Sequence, residues 1–235
     1  MALPKLDARL AAIASWVREG VGCADIGTDH GYLITWLAAS GKIPHGFACD
    51  INQKPLQKAA FSLSEYGVSE RVKLVLCDGL SGLQAGDVQD IVIAGMGGDL
   101  IWQIIDAQPW TRDTQLVFLL QPMTKAEHLR YHLCKHGFAI LRERAVISKG
   151  FPYTILQVVY TGACKEVDLW YCYTGALQPQ GNAAIAYYQK LLRILEEKVA
   201  GLEKSTMGVT EKQQGYQALL EQLKGALQDD STNRL

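Results

Sequence analysis

The sequence predicts an α/β protein: a mostly parallel sheet with an antiparallel last strand, followed by an antiparallel helical hairpin. Three observations predict it. Short apolar runs alternate with amphipathic segments up to His136, the pattern of buried parallel strands joined by helices. Two extended runs, 138–147 and 153–160, are joined by Ser148-Lys149-Gly150-Phe151-Pro152, which is too short for a helical crossover, so they pair antiparallel. Beyond Thr161, two segments repeat apolar residues at three-four spacing.

In order, residues 3–18 place Leu3, Leu6, Leu10, Ile13 and Val17 on one helical stripe, with Lys5, Arg9 and Arg18 off it. That is a helix covering the core, or one whose basic side meets a polyanion. Strands are expected at 21–25, 45–50, 72–77, 90–94 and 116–120, and helices at 32–40, 55–66, 97–107 and 125–136. Gly41, Gly67 and Gly137 mark three helix ends. Dinucleotide-binding sheets are usually parallel throughout, whereas methyltransferase sheets typically carry a reversed last strand. Residues 177–182 read as a linker with Asn182 as a helix cap. Ile185, Tyr188, Leu192, Leu195, Val199 and Leu202 then form a narrow stripe of coiled-coil type. A loop at 205–209, a capping box of Thr210 with Gln213, and a stripe of Tyr216, Leu220, Leu223 and Leu227 complete a hairpin, with 229–235 frayed. The expected division is a core at 1–162 and a hairpin domain at 163–235.

With 49% hydrophobic and 20% charged residues, the 235-residue chain is a folded protein, not a disordered one. A net charge of -1 neither advertises nor excludes a nucleic-acid partner, because a local patch suffices to bind phosphates. The six cysteines include no C-x-x-C pair, which fits reduced thiols in the cytoplasm. No apolar run is long enough to span a membrane. His128, His132 and His136 share a helix face but have no acidic or cysteine ligand at matching spacing, so no metal is expected.

Chemistry concentrates at the carboxyl ends of the expected strands, where ligands bind in open parallel sheets. The first is followed by Gly27-Thr28-Asp29-His30-Gly31, with Asp25 just before the turn. The second ends in Asp50, suited to accept from both ribose hydroxyls, and the third in Cys77-Asp78-Gly79, where a carboxylate can accept from an adenine amine. The fourth ends in a second glycine-rich turn, Ala94-Gly95-Met96-Gly97-Gly98-Asp99, and the fifth in Gln121-Pro122-Met123-Thr124. Singly, each aspartate is more often a helix cap and each glycine a turn requirement. Five such ends in succession point to a nucleoside ligand. A dinucleotide fingerprint needs G-x-G-x-x-G to seat pyrophosphate. Asp29 stands where the second glycine belongs, repels pyrophosphate and tolerates a sulfonium or ammonium, so the turn favours S-adenosylmethionine over NAD. His30 reads as an acid or base, or as a cap on the turn. Lys125, Arg130 and Lys135 read as a phosphate-facing surface, or as a solvated helix face. Tyr32 and Trp102 read as core, or as flanking a ligand.

The segments Ala24-Asp25-Ile26-Gly27-Thr28-Asp29-His30-Gly31-Tyr32-Leu33, Cys49-Asp50-Ile51-Asn52, Gly79-Leu80, Ile93-Ala94-Gly95-Met96-Gly97-Gly98 and Leu120-Gln121-Pro122 together resemble the bacterial TrmK family of tRNA (adenine-N1)-methyltransferases. The resemblance covers about residues 3–160, and the helical hairpin fits the family layout. It implies a class I, Rossmann-like enzyme that uses S-adenosyl-L-methionine to methylate N1 of adenine 22 in the D arm of tRNA. It further implies that Asp25, Gly27, Thr28 and Asp29 hold the methionine part and Asp50, with Ile51, the ribose. Asp78, with Gly79, would face the adenine, and Gly95, Met96 and Gly97 would border the transfer site. Asp29 or His30 is the expected polar catalytic helper. Many family members read Gln-Pro-Asn where this chain has Gln121-Pro122-Met123, so any role of that Asn passes elsewhere, for instance to Gln121. The expected partner is tRNA, and the expected state a monomer or weak homodimer. The competing readings are a small-molecule methyltransferase, a non-catalytic cofactor-binding module with a partner-binding coiled coil and, last, an NAD-dependent reductase.

Overall fold

Seven strands form one sheet: β1 (Cys23–Ile26), β2 (Gly46–Asp50), β3 (Val72–Leu76), β4 (Asp90–Gly97), β5 (Val117–Thr124), β6 (Phe138–Ser148) and β7 (Phe151–Tyr160). Their order is β3-β2-β1-β4-β5-β7-β6. The first five are parallel, and β7 enters antiparallel between β5 and β6. This is the expected sheet, with its last strand reversed. The computed structural model describes residues 3–205 and 211–232. The expected loop at 206–209, the Thr210 cap and the chain end at 233–235 lie outside the described residues.

Both faces of the central sheet are covered, which is why β1, β2, β4 and β5 are largely apolar and buried rather than alternating. On one face, α1 (Ala8–Trp16), α2 (Tyr32–Ala39) and α3 (Gln53–Glu65) bring Ile13, Leu33, Leu37 and Leu63 against Ala48, Val92 and Leu119. On the other, α4 (Gly98–Asp106) and α5 (Ala126–Lys135) bring Ile101, Trp102, Leu129 and Leu133 against Ile91, Phe118 and Leu120. The first helix is shorter than its apolar stripe. The Asp7 carboxylate caps it, accepting from the Leu10 N–H at 3.0 Å, so Leu3 and Leu6 precede the helix and Leu3 is exposed.

The strand ends depart from expectation at β4 and β5. Residues 94–97 form no turn; they continue β4 beside β5, with irregular register between Ala94, Met96 and Gly97. β5 likewise runs on through Gln121, Pro122 and Met123. The two strands therefore project together at the carboxyl edge of the sheet.

A six-residue helix, α6 (Leu169–Thr174), precedes the hairpin of α7 (Gly181–Ser205) and α8 (Glu211–Thr232) and was not expected. It is capped by Asp168, which accepts from the Tyr171 N–H at 2.8 Å. Helix α7 starts at Gly181, so Asn182 stands in its first turn instead of capping it, and α8 continues to Thr232, through part of the stretch expected to fray. Cys172, Tyr173, Tyr188, Leu195, Leu219 and Leu223 form the core shared by these three helices.

A fully buried ion pair joins this unit to the sheet. Arg130 Nε on α5 donates to Glu143 Oε1 on β6 at 2.9 Å. Its Nη1 donates to the carbonyls of Cys172 and Tyr173 at 2.7 and 2.9 Å, while the Ala176 N–H donates to Glu143 Oε2 at 2.7 Å. Breaking a buried, hydrogen-bonded pair typically costs about 3–5 kcal/mol because the remaining charge loses its partner. Arg130→Ala is therefore expected to lower stability in urea denaturation by that order, whereas substitution at exposed Lys135 leaves it within about 0.5 kcal/mol.

Candidate functional site

The site is built on the turn after β1. The Gly27 and Thr28 N–H groups both donate to the Cys49 carbonyl, at 2.8 and 3.0 Å, which locks the turn to the end of β2. Gly27 has φ +76°, and a Cβ there would lie 2.1 Å from Met96 Cε on β4. A side chain at 27 would thus meet both backbone strain and the methionine that overhangs the turn.

Asp25 is buried, and the Thr28 hydroxyl donates to its Oδ2 at 2.8 Å. Burial pushes its carboxyl up to about 6; the Thr28 bond opposes that shift and the Asp50 charge adds to it. Asp29 instead turns outward. Its carboxylate lies 2.8 Å from His30 Nδ1 and 3.4 Å from Lys58 Nζ. The His30 ring stacks on Tyr32 at 5.2 Å, and both are partly solvent-accessible. His30 does not cap α2: the N-cap is Gly31, in the left-handed region and with no side-chain bond.

Along the sheet edge, Asp50 accepts from the Asn52 N–H at 2.7 Å, with Ile51 exposed beside it. The Cys77 N–H donates to the Asp50 carbonyl at 3.0 Å, so Asp78 and Gly79 follow directly, Asp78 exposed. Cys77 itself packs against the core, and its Sγ donates to the Gly79 carbonyl at 3.5 Å, on the β3 side away from β4 and β5. Aspartates 25, 50 and 78 are therefore spread in order over β1, β2 and β3. Gly95, Met96 and Gly97 are brought next to them on β4.

At the end of β5 the Gln121 side chain is fully buried and hydrogen-bonded through both its oxygen and its nitrogen. Its Oε1 accepts from Arg9 Nη1 at 2.7 Å, and its Nε2 donates to the Pro122 carbonyl at 2.9 Å. These bonds tie the amide into the end of β5, where it was expected to take over any role of an Asn at 123. Arg9 is the residue the sequence did not mark. It reaches from α1, 112 positions earlier, and is anchored by Asp7 at 3.0 Å. It also lies 3.6 Å from Met123 Sδ. Only its position off the apolar stripe hinted at a polar task.

Two of the three basic residues at α5 that read as a phosphate-facing surface, or as a solvated face, are already engaged. Arg130 is buried in the ion pair described above, and the Lys125 ammonium is bound by Asp99, which also accepts from His128 Nδ1 at 2.9 Å. The Lys125 and His128 bonds hold the Asp99 carboxyl below the usual range. His132 and His136 lie over the Trp102 ring at 5.4 and 4.7 Å, so Trp102 is a core residue. Among the described residues, no group of histidine, cysteine and acidic side chains converges as a metal site.

Residues 6–156 match the family model described as "Methyltransferase domain". The chain belongs to this methyltransferase-domain family. It is 32% identical over 152 residues to the tRNA (adenine(22)-N(1))-methyltransferase of Bacillus subtilis, a match that spans 65% of this chain and 64% of that protein. The solved B. subtilis m1A22 tRNA methyltransferase TrmK superposes with TM-score 0.74 at 25% identity, covering 95% of this chain and 99% of that one. Streptococcus pneumoniae Sp1610, solved in complex with S-adenosyl-L-methionine, gives TM-score 0.75 at 26% identity, with 95% and 100% covered. The structural likeness thus extends through the helical hairpin, beyond the reach of the domain model.

A buried carboxylate whose folded-state proton affinity exceeds its unfolded value destabilises the protein once ionised. For Asp25 the penalty grows as pH rises from about 4 through about 6 and is complete above that. Asp25→Asn, which keeps an acceptor for Thr28, is expected to stabilise the ligand-free methyltransferase at pH 8 by up to about 3 kcal/mol. The gain should disappear near pH 4. Denaturation curves at the two pH values check it; an equal effect at both would contradict the assignment.

Proposed function

We propose that this methyltransferase transfers the methyl group of S-adenosyl-L-methionine to N1 of adenine 22 in the D arm of tRNA. The observation that carries the proposal is the ordered set of carboxylates over β1–β3 leading to the glycine-bounded end of β4, in a chain 32% identical to an enzyme of that name. The acidic set also tests the fit of the cofactor. Asp25, Asp29, Asp50 and Asp78 suit an ammonium, ribose hydroxyls, an adenine amine and a nearby sulfonium, and they repel a pyrophosphate. Asp25, Gly27, Thr28 and Asp29 would hold the methionine part, Asp50 and Ile51 the ribose, and Asp78 and Gly79 the adenine. Gly95, Met96 and Gly97 would border the transfer site.

When bound, S-adenosyl-L-methionine supplies an electrophilic methyl on a sulfonium. N1 of adenine carries a free lone pair, so no proton has to leave before attack. The protein's task is to take the base out of its stack, hold N1 in line and keep water away. Arg9 serves that task indirectly by fixing Gln121 and the end of β5. The Asp29–His30 pair is the candidate for holding the base at the mouth of the site, with Tyr32 stacked behind His30.

In this reading residues 1–162 serve as the cofactor and transfer domain, and 163–235 as the arm that meets tRNA. No helix among the described residues is long and apolar enough to cross a membrane. The proposed setting is the cytoplasm, as a monomer or weak homodimer.

Incubation with methyl-labelled S-adenosyl-L-methionine and unmodified tRNA is expected to label the RNA, and replacing adenine 22 by guanine to abolish the labelling. Equal labelling of both RNAs would contradict the position. Cofactor binding without any labelling would favour a binding module or a small-molecule substrate. Asp50→Ala is expected to weaken cofactor binding at least about tenfold, the loss of one charge-assisted hydrogen bond, while the fold survives. Unchanged affinity in calorimetry would place the ribose elsewhere.

A further inference from the structure

In the strand order, the carboxylates stand over β1–β3 and the projecting end of β4 comes next. The β5 side is thus one side from which a substrate can approach the methyl position. On that side lies a cleft of about 590 Å³, walled by the end of β5 and the start of α5 on one flank and by α6, α7 and α8 on the other. Its size falls among small-ligand sites, about 300–1,000 Å³. Met123, Leu191 and Ile194 give it an apolar wall, and the rings of Tyr173 and Tyr216 an aromatic one. Of the lysines that border it, Lys125 is bound by Asp99 and Lys198 by Glu127, which leaves Lys190 and Lys212 against Glu197. The two flanks are tied together where Lys198 Nζ on α7 donates to Glu127 Oε1 on α5 at 2.9 Å and to the Tyr173 hydroxyl at 2.5 Å.

One residue on the border of the cleft offers a place from which to fill it. Gly201 lies inside α7, where glycine weakens a helix. No neighbouring backbone requires it, since a Cβ at 201 would meet nothing within 4 Å. A larger side chain there would extend into free space that the cleft occupies.

We propose that this cleft receives one nucleotide of the substrate RNA, adjacent in the strand to the base that is methylated. The nucleotide's base lies against the methionine, leucine and tyrosine wall, and its phosphate beside Lys190 and Lys212. Ring contact and lysine charge do not discriminate between bases, so the cleft positions the strand and does not read its sequence. The inference rests on the reading of the protein as an RNA methyltransferase.

Gly201→Trp tests it by filling the cleft, with Gly201→Ala as the control for helix propensity. The full chain with unmodified tRNA is used throughout. The tryptophan variant is expected to raise KM for tRNA at least tenfold, with the Kd for S-adenosyl-L-methionine and the thermal midpoint no worse than those of the alanine control. A tRNA KM equal to that of the control would overturn the proposal. As a second variant, Lys212→Glu on the exposed side of the cleft is expected to raise KM for tRNA and to flatten its dependence on salt, because a phosphate contact is lost. An unchanged salt dependence would likewise count against it. If the wild-type chain binds the cofactor and labels no RNA, the RNA reading itself fails and this inference falls with it. That outcome is separable because it appears before any variant is made.

Discussion

The carboxyl edge of the sheet depends on a backbone contact that leaves no room for a side chain. At Gly98, the first residue of α4, a Cβ would lie 2.1 Å from the Lys125 carbonyl oxygen and 2.9 Å from its carbon. The obstruction is main chain, so no rotamer change relieves it; β4–α4 would have to move away from β5–α5. Through this contact the two strands that run past their expected ends stay paired as far as Gly97 and Thr124. The proposed transfer position, the Asp99–Lys125–His128 cluster and one flank of the cleft are all set by it.

The proposed site sits at the topological switch. From β1 the chain winds outward to β2 and β3, then returns to add β4 and β5 on the other side, leaving a crevice between the turn after β1 and the end of β4. Met96 overhangs Gly27 across that crevice. The buried, protonation-prone Asp25 sits beneath it, and Asp50 and Asp78 extend away from it. Ionised Asp25 lowers stability, and a cationic ligand group beside it would recover that loss.

Much of this was legible because the relevant signals are local. The turn at Gly27, the end of β2 at Asp50 after an apolar run, and the too-short 148–152 connection each announce themselves within a few residues. What escaped is carried by distant partners. The tie from Arg9 to Gln121 spans 112 positions, and nothing near either residue announces the other. Arg130 looks like a surface arginine on an amphipathic helix; its burial follows from Glu143 on β6 and from carbonyls on α6. Helix α6 is six residues long, too short for periodicity to emerge, and is defined by the Asp168 cap and by Gly175 at φ +62°. The glycines of 95–98 read as a turn, although their small size serves a bulged strand and a close packing contact.

The central claim is that the acidic strand ends select a cationic methyl donor over a pyrophosphate-bearing cofactor. Calorimetric titration of the ligand-free protein with S-adenosyl-L-methionine and, separately, with NAD+ tests it most directly. The account predicts saturable binding of the first and none of the second under the same conditions. NAD+ bound as tightly as S-adenosyl-L-methionine would contradict it.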